Sequence, residues 1–219
     1  MKLKAFTLAE VMIVLGIIGV VAAITIPTLN VKTEEARFIA QLHKAENSLQ
    51  NALKLAIMDN DNLPIKHWES YAATTDPNEK TQAIQTALKA HLNVANNCEN
   101  LNQCFALNNY KTLQKTTLVS VVSEKINVYN ACFMTSDGIA FSIAGPYIFV
   151  DLNGPQKPNI AGVDFFLFEL NTETNKLKAN NRVETECNIT TPNEATGLGC
   201  TEWALRKGNM DYRRKVVNW

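Results

Sequence analysis

The chain has 219 residues, in which 21 Lys and Arg balance 21 Asp and Glu, and its pI is near 6.8. That balance excludes a general nucleic-acid binder, which carries a basic excess; 46% hydrophobic against 19% charged residues excludes a disordered chain. The length suits one globular domain, and a single apolar stretch near the start excludes both a polytopic membrane protein and a plain cytosolic domain.

No charged residue occurs from Val11 to Val31, and Val11 to Ile24 holds only apolar residues and glycine. At about 1.5 Å per residue, such a helix covers a bilayer core. Lys2 and Lys4 form a basic flank, as in a secretory signal peptide. However, the apolar run is long for a signal peptide, and the candidate cleavage site Val21-Ala22-Ala23 falls inside it. Glu10 also stands at its entrance, where an anchor has no use for a carboxylate. A charge in the membrane costs about 3 kcal/mol, so by default it has a partner and a task.

The segment Ala5-Phe6-Thr7-Leu8-Ala9-Glu10-Val11-Met12-Ile13-Val14-Leu15-Gly16-Ile17-Ile18-Gly19 resembles the processing site and first helix of type IV prepilins and type II secretion pseudopilins. The resemblance covers roughly residues 1–58. It implies a leader over 1–5, cut by a prepilin peptidase between Ala5 and Phe6, and N-methylation of Phe6. It also implies a transmembrane helix half over 6–31, kinked at Pro27, and an amphipathic stalk half over 32–58, with a globular head over 59–219. Where the family has glycine before the cut, this chain has Ala5, which bears on the efficiency of processing. The family mechanism assigns Glu10 to neutralise the Phe6 amine of a neighbouring subunit and so set the axial register. A bond from Glu10 to its own terminus is the alternative.

In the stalk half, Phe38, Ala45 and Ala52 recur every seventh residue, as do Leu42, Leu49 and Ala56. This stripe predicts a helix buried on one side. Asp59-Asn60-Asp61-Asn62 and Pro64 break it. Asp76 as N-cap, Pro77 at the first position and Glu79 closing a capping box predict a second helix running to about Ala95. The asparagine-rich stretch 93–109 reads as a loop. Strand-like runs follow at Thr117–Val122, Ala131–Thr135, Ile139–Ala144, Tyr147–Leu152 and Phe165–Leu170, with a hairpin turn at Ser136-Asp137-Gly138. From Asn171 onward the sequence reads as loop-rich. The expected class is α+β and pilin-like, with a small antiparallel sheet laid on a long N-terminal helix.

All five cysteines follow the apolar segment, and Lys2 and Lys4 place the N-terminal flank in the cytoplasm. The head is therefore expected in an oxidising space, the periplasm or cell surface, beyond a single pass of the inner membrane. Two pairs drawn from five cysteines allow fifteen arrangements. Short-loop closure favours Cys98 with Cys104 and Cys187 with Cys200, leaving Cys132 as a buried thiol. Asp151, Asn153 and Asp164, around Gly154, Asn159 and Gly162, raise calcium, whose ligands are such oxygens; major pseudopilins carry a calcium loop in their C-terminal region. The same residues cap tight turns without an ion.

His43, His67 and His91 are scattered, and there is neither a G-x-S-x-G nor a P-loop, so no enzyme is expected and no cofactor is required. Arg206, Lys207, Arg213, Arg214 and Lys215 near Trp203, Tyr212 and Trp219 have the character of a single-strand nucleic-acid surface. A solvated C-terminal segment reads the same way, and nucleic acid is not an expected partner. The expected function is a structural subunit of a type II secretion pseudopilus or type IV pilus. Its partners are other pilin or pseudopilin subunits, prepilin peptidase, the inner-membrane assembly platform and membrane lipid. The alternative is a membrane-anchored periplasmic binding or catalytic domain outside any filament.

Overall fold

A computed structural model describes residues 7–99, 101–107, 109–118, 131–190 and 195–217. The chain divides into two compact units, Met1–Arg37 and Phe38–Trp219. The first helix, α1 (Leu8–Asp59), contributes residues to both.

In the first unit, α1 is apolar on every face from Val11 to Ile24. Its large hydrophobic side chains from Leu8 to Val31 are between 42% and 80% exposed. Among the described residues, this is a helix long and apolar enough to cross a membrane. The helix continues through Pro27. Proline has no N–H, so the Ala23 carbonyl lacks its usual donor there, yet the helix is not broken.

In the second unit, Phe38, Leu42, Ala45, Leu49, Ala52 and Ala56 are fully buried. They join one core with Phe133, Phe141, Ile143, Ile148, Val150, Phe166 and Phe168. The heptad-spaced stripe is thus the inward face of the helix. After Asp59 the chain reverses through left-handed Asp61 and Asn62, and the Asn60 amide donates to the Ala56 carbonyl at 2.8 Å. A short turn of helix, α2 (Glu69–Ala72), leads to α3 (Pro77–Lys89).

Asp76 caps α3 by accepting from the Asn78 N–H at 2.8 Å. Glu79 does not close the expected box: it accepts from the Thr74 hydroxyl, and Thr74 Oγ1 in turn accepts the Asp76 N–H at 3.0 Å. The helix also ends earlier than expected. Lys89 is its last residue, and Val94–Asn96 forms strand β1. Helix propensity at Val94 and Ala95 yields to a sheet edge that offers pairing partners, Val94 opposite Thr135.

The sheet has six antiparallel strands in sequence order: β1, β2 (Cys132–Thr135), β3 (Ala140–Ala144), β4 (Tyr147–Asp151), β5 (Phe165–Asn171) and β6 (Lys176–Ala179). Left-handed Gly138 lies in the β2–β3 hairpin, whose Asp137 reaches Lys44 on α1 at 2.7 Å. Alternation sorts the two faces. Ile148, Val150, Phe166 and Phe168 face the α1 core, while Phe149, Phe165 and Leu167 belong to a second core with Phe105, Tyr110 and Leu118. The asparagine-rich segment therefore covers the far face of the sheet, which is why β3 is buried along its whole length. Thr117 forms an isolated bridge with Lys111; residues 119–122 of that expected strand lie outside the described residues.

A strand and two short helices occupy the region read as loop-rich. β6 pairs with β5, Leu170 opposite Leu177; its Lys-Leu-Lys-Ala alternation is the strand signal, short and charged as an edge strand is. Two short helices, α4 (Val183–Glu186) and α5 (Thr201–Lys207), follow. The fold is α+β and pilin-like.

Candidate assembly site and the polar loop of the head

Thr7 is the N-cap of α1, and Glu10 is the third residue of the helix. The Thr7 N–H and hydroxyl both donate to Glu10 Oε2, at 2.8 and 2.9 Å. The Glu10 N–H donates to Thr7 Oγ1 at 3.2 Å. This is a reciprocal capping box, satisfying donors that the first turn leaves open. Its signature, Thr-x-x-Glu, stands in the sequence at Thr7 and Glu10. Ala5 and Phe6 lie outside the described residues. Around Glu10 the exposed side chains are Leu8, Val11, Met12, Ile13 and Val14. A carboxylate at the end of an exposed apolar helix is chemically suited to hold a cation where water is excluded.

Two disulfides join Cys98 to Cys104 and Cys187 to Cys200, and Cys132 is a buried free thiol. Burial pushes the Cys132 thiol up to about 11, which suppresses the thiolate needed to attack the neighbouring disulfide. The first bridge closes the segment that covers the far face of the sheet. The second ties the chain after β6 to the start of α5.

The Asp151–Asp164 loop is buried at both ends, each aspartate being fully inaccessible. Asp151 accepts the Asn153 N–H at 3.1 Å on Oδ1 and the Tyr110 hydroxyl on Oδ2. Asp164 accepts the Ile160 N–H at 2.7 Å on Oδ1 and the Asn159 N–H at 2.8 Å on Oδ2. Burial raises Asp151 well above the usual carboxylate range, and the charge of Asp164 adds to this. Burial also raises Asp164, to about 6, against the pull of the Ile160 and Asn159 amides. Tyr110 had no sequence signal, because its link to Asp151 exists only once the covering segment lies on the sheet.

For calcium the donor set is thin. All four carboxylate oxygens already accept from protein donors, whereas the ion takes about six to eight oxygens. No group of three His, Cys, Asp or Glu is gathered among the described residues. Asn153 Oδ1 and Asn159 Oδ1 are buried without a hydrogen-bond partner. The geometry is that of a turn network, and no metal is assigned to it.

A pH experiment separates the two. The Asp164 carboxyl binds its proton more tightly in the folded chain than an ordinary aspartate does, near 3.8. Its contribution to stability is therefore complete below that value and is lost as pH rises toward about 6. The difference in melting temperature between wild type and Asp164→Asn should shrink or reverse over this window. Neither calcium nor a chelator should shift the wild-type melting temperature at neutral pH. A calcium-dependent rise abolished by Asp164→Asn would overturn the turn network.

Other polar groups are used structurally. His91 Nε2 lies 2.7 Å from Asp59 Oδ2. In the basic tail, Arg206 pairs with Glu202, Lys215 with Asp211, and the Lys207 ammonium sits 5.4 Å from the Trp203 ring centre. A cleft of about 540 Å³ is lined by Glu46, Glu169, Lys178, Glu202 and Arg206, without a nucleophile–base pair. No family model matches the chain, and neither a curated protein nor a solved structure matches it significantly.

Proposed function

We propose that the chain is a structural subunit of a type II secretion pseudopilus or type IV pilus, assembling through the first half of α1. The observation that carries this reading is Glu10. It stands at the N-terminus of an exposed apolar helix whose continuation belongs to the core of an α+β, pilin-like head. An anchor needs the apolar helix but not the carboxylate. In an assembly, Glu10 neutralises the Phe6 amine of a neighbouring copy, and lipid or neighbouring helices cover the apolar faces. Prepilin peptidase removes residues 1–5, the inner-membrane platform stacks the subunits, and the two disulfides brace the exported head. The subunit has no catalytic role in this reading.

The test is recovery of tagged full-length chain in sheared filaments from cells carrying the assembly machinery. Intact mass should show loss of Met1–Ala5 and gain of one methyl group. A chain cut after Ala23 would refute prepilin processing, and wild type that enters no filament would hand the case to a membrane-anchored periplasmic domain.

A further inference from the structure

A strand at the end of a sheet carries main-chain donors and acceptors that no neighbouring strand uses. β6 is such a strand, and it pairs with β5 in unbroken register from Lys176 to Ala179, whereas β1 at the opposite end meets β2 in irregular register. The Asn180 N–H donates to the Leu167 carbonyl at 3.0 Å. Antiparallel alternation then turns the main chain of Lys176 and Lys178 toward β5, and that of Leu177 and Ala179 outward. Among the described residues no strand adds to this edge. The cleft of about 540 Å³ lies along it, lined by Ala179 and Asn181, by Glu46 of α1, and by Glu202 and Leu205 of α5. We propose that β6 is a docking edge for an extended segment of another protein, in which two acidic residues flank a basic one.

The charge pattern follows from the two faces of the strand. Lys176 and Lys178 are exposed on one face, two positions apart, and neither makes a salt bridge among the described residues. Residues directly across an added strand share that face, where carboxylates meet both ammonium groups. Leu177 and Ala179 pack toward the α1 core on the other face. There the intervening residue of the segment enters the cleft beside Glu46, which accepts the Gln50 amide at 3.2 Å and has no salt bridge. A second copy of the chain does not fit. Two β6 edges would set lysine against lysine. The chain's own pairs of acids two apart are Asp59 with Asp61 and Glu184 with Glu186. The first ends in a left-handed residue and the second lies in helix α4, so neither is extended. The inference goes beyond the filament reading and holds without it, since every residue involved belongs to the head.

The probe is a fluorescein-labelled peptide, Thr-Glu-Arg-Glu-Thr-Thr, titrated with the full-length chain in detergent micelles and followed by fluorescence anisotropy. Wild type should bind it, and the double variant Lys176→Glu, Lys178→Glu should bind at least on the order of tenfold more weakly. The same double variant should bind a peptide with lysine in place of both glutamates better than wild type does, which shows that it is folded. Two further peptides are N-methylated, each on one alternate set of amides. The set that faces β6 should lose binding, and the set that faces away should keep it. No binding by wild type up to about 1 mM overturns the proposal. Equal binding of both methylated peptides, or their equal failure, overturns strand addition. Equal affinity of wild type and the double variant overturns the charge pattern. Self-association of the chain that the peptide displaces overturns the choice of another protein as occupant.

Discussion

Glu10→Gln should abolish entry into filaments while leaving membrane level and leader cleavage intact. The substitution is informative because of the local geometry. A glutamine at this position still accepts from the Thr7 N–H and hydroxyl, so the capping box that closes α1 survives. Only the charge goes. If that charge neutralises a neighbour's terminal amine, its loss strands a cation in an apolar bundle at a cost of about 3 kcal/mol, on the order of a hundredfold in association. Glu10→Ala should fail in the same direction, with the first turn of the helix loosened in addition. Both variants should insert as well as wild type or slightly better, since an expensive intramembrane charge has been removed. Filament incorporation beside membrane level measures the two effects separately. Equal incorporation of both variants and wild type would refute the pairing mechanism.

Local patterning carried much of the fold. The seven-residue repeats from Phe38 to Ala56 identify the buried face of α1, and the apolar runs around Phe149 and Phe166 identify central strands. What local patterning could not show is that the sheet is covered twice. Tyr147–Asp151 and Phe165–Asn171 are nearly continuous apolar runs because both of their faces are buried. The second cover comes from a stretch whose asparagines read as open loop, and it takes Phe105 and Tyr110 onto the sheet.

The misplaced end of α3 has a related cause. Val94 and Ala95 are compatible with helix, and only pairing with β2, nearly forty residues later in the chain, makes them a strand. At the candidate site, Glu10 was legible because a charge in an apolar run is conspicuous. Thr7 was not, because a threonine before a helix is ordinary until its bonds are seen. The Asp151–Asp164 loop was legible as a place but not as a chemistry. Residue types suggest calcium, whereas the donors on each oxygen are protein amides and a tyrosine hydroxyl.

Gly197→Ala should be the most destabilising single-methyl change in the head. Gly197 sits at φ 115°, a conformation that a β-carbon disfavours. A Cβ built there would stand 2.2 Å from the Ala161 carbonyl oxygen and 2.5 Å from its carbon, both backbone atoms. The approach is mutual: a Cβ on Gly162 would stand 2.9 Å from the Gly197 oxygen. Gly197 also donates to the Glu186 carbonyl at 2.6 Å, and the Cys187–Cys200 bridge spans the same turn. On the other side, the Tyr212 hydroxyl donates to the Gly162 carbonyl at 2.7 Å. The disulfide loop and the Asp151–Asp164 loop are thus interlocked backbone to backbone, with no flexible side chain to give way.

Backbone strain and overpacking together amount to about 4 kcal/mol, which lowers the melting temperature by about 10 °C in a chain of this size. Gly145→Ala supplies the control. It shares a left-handed conformation, φ 61°, but a Cβ there meets nothing within 4 Å, so only the conformational penalty of about 1 kcal/mol applies. Thermal unfolding of the full-length chain in detergent, followed by near-ultraviolet circular dichroism, compares the two. A Gly197→Ala variant that melts with Gly145→Ala would mean the two loops can part without loss, and the interlock would then contribute nothing to the head.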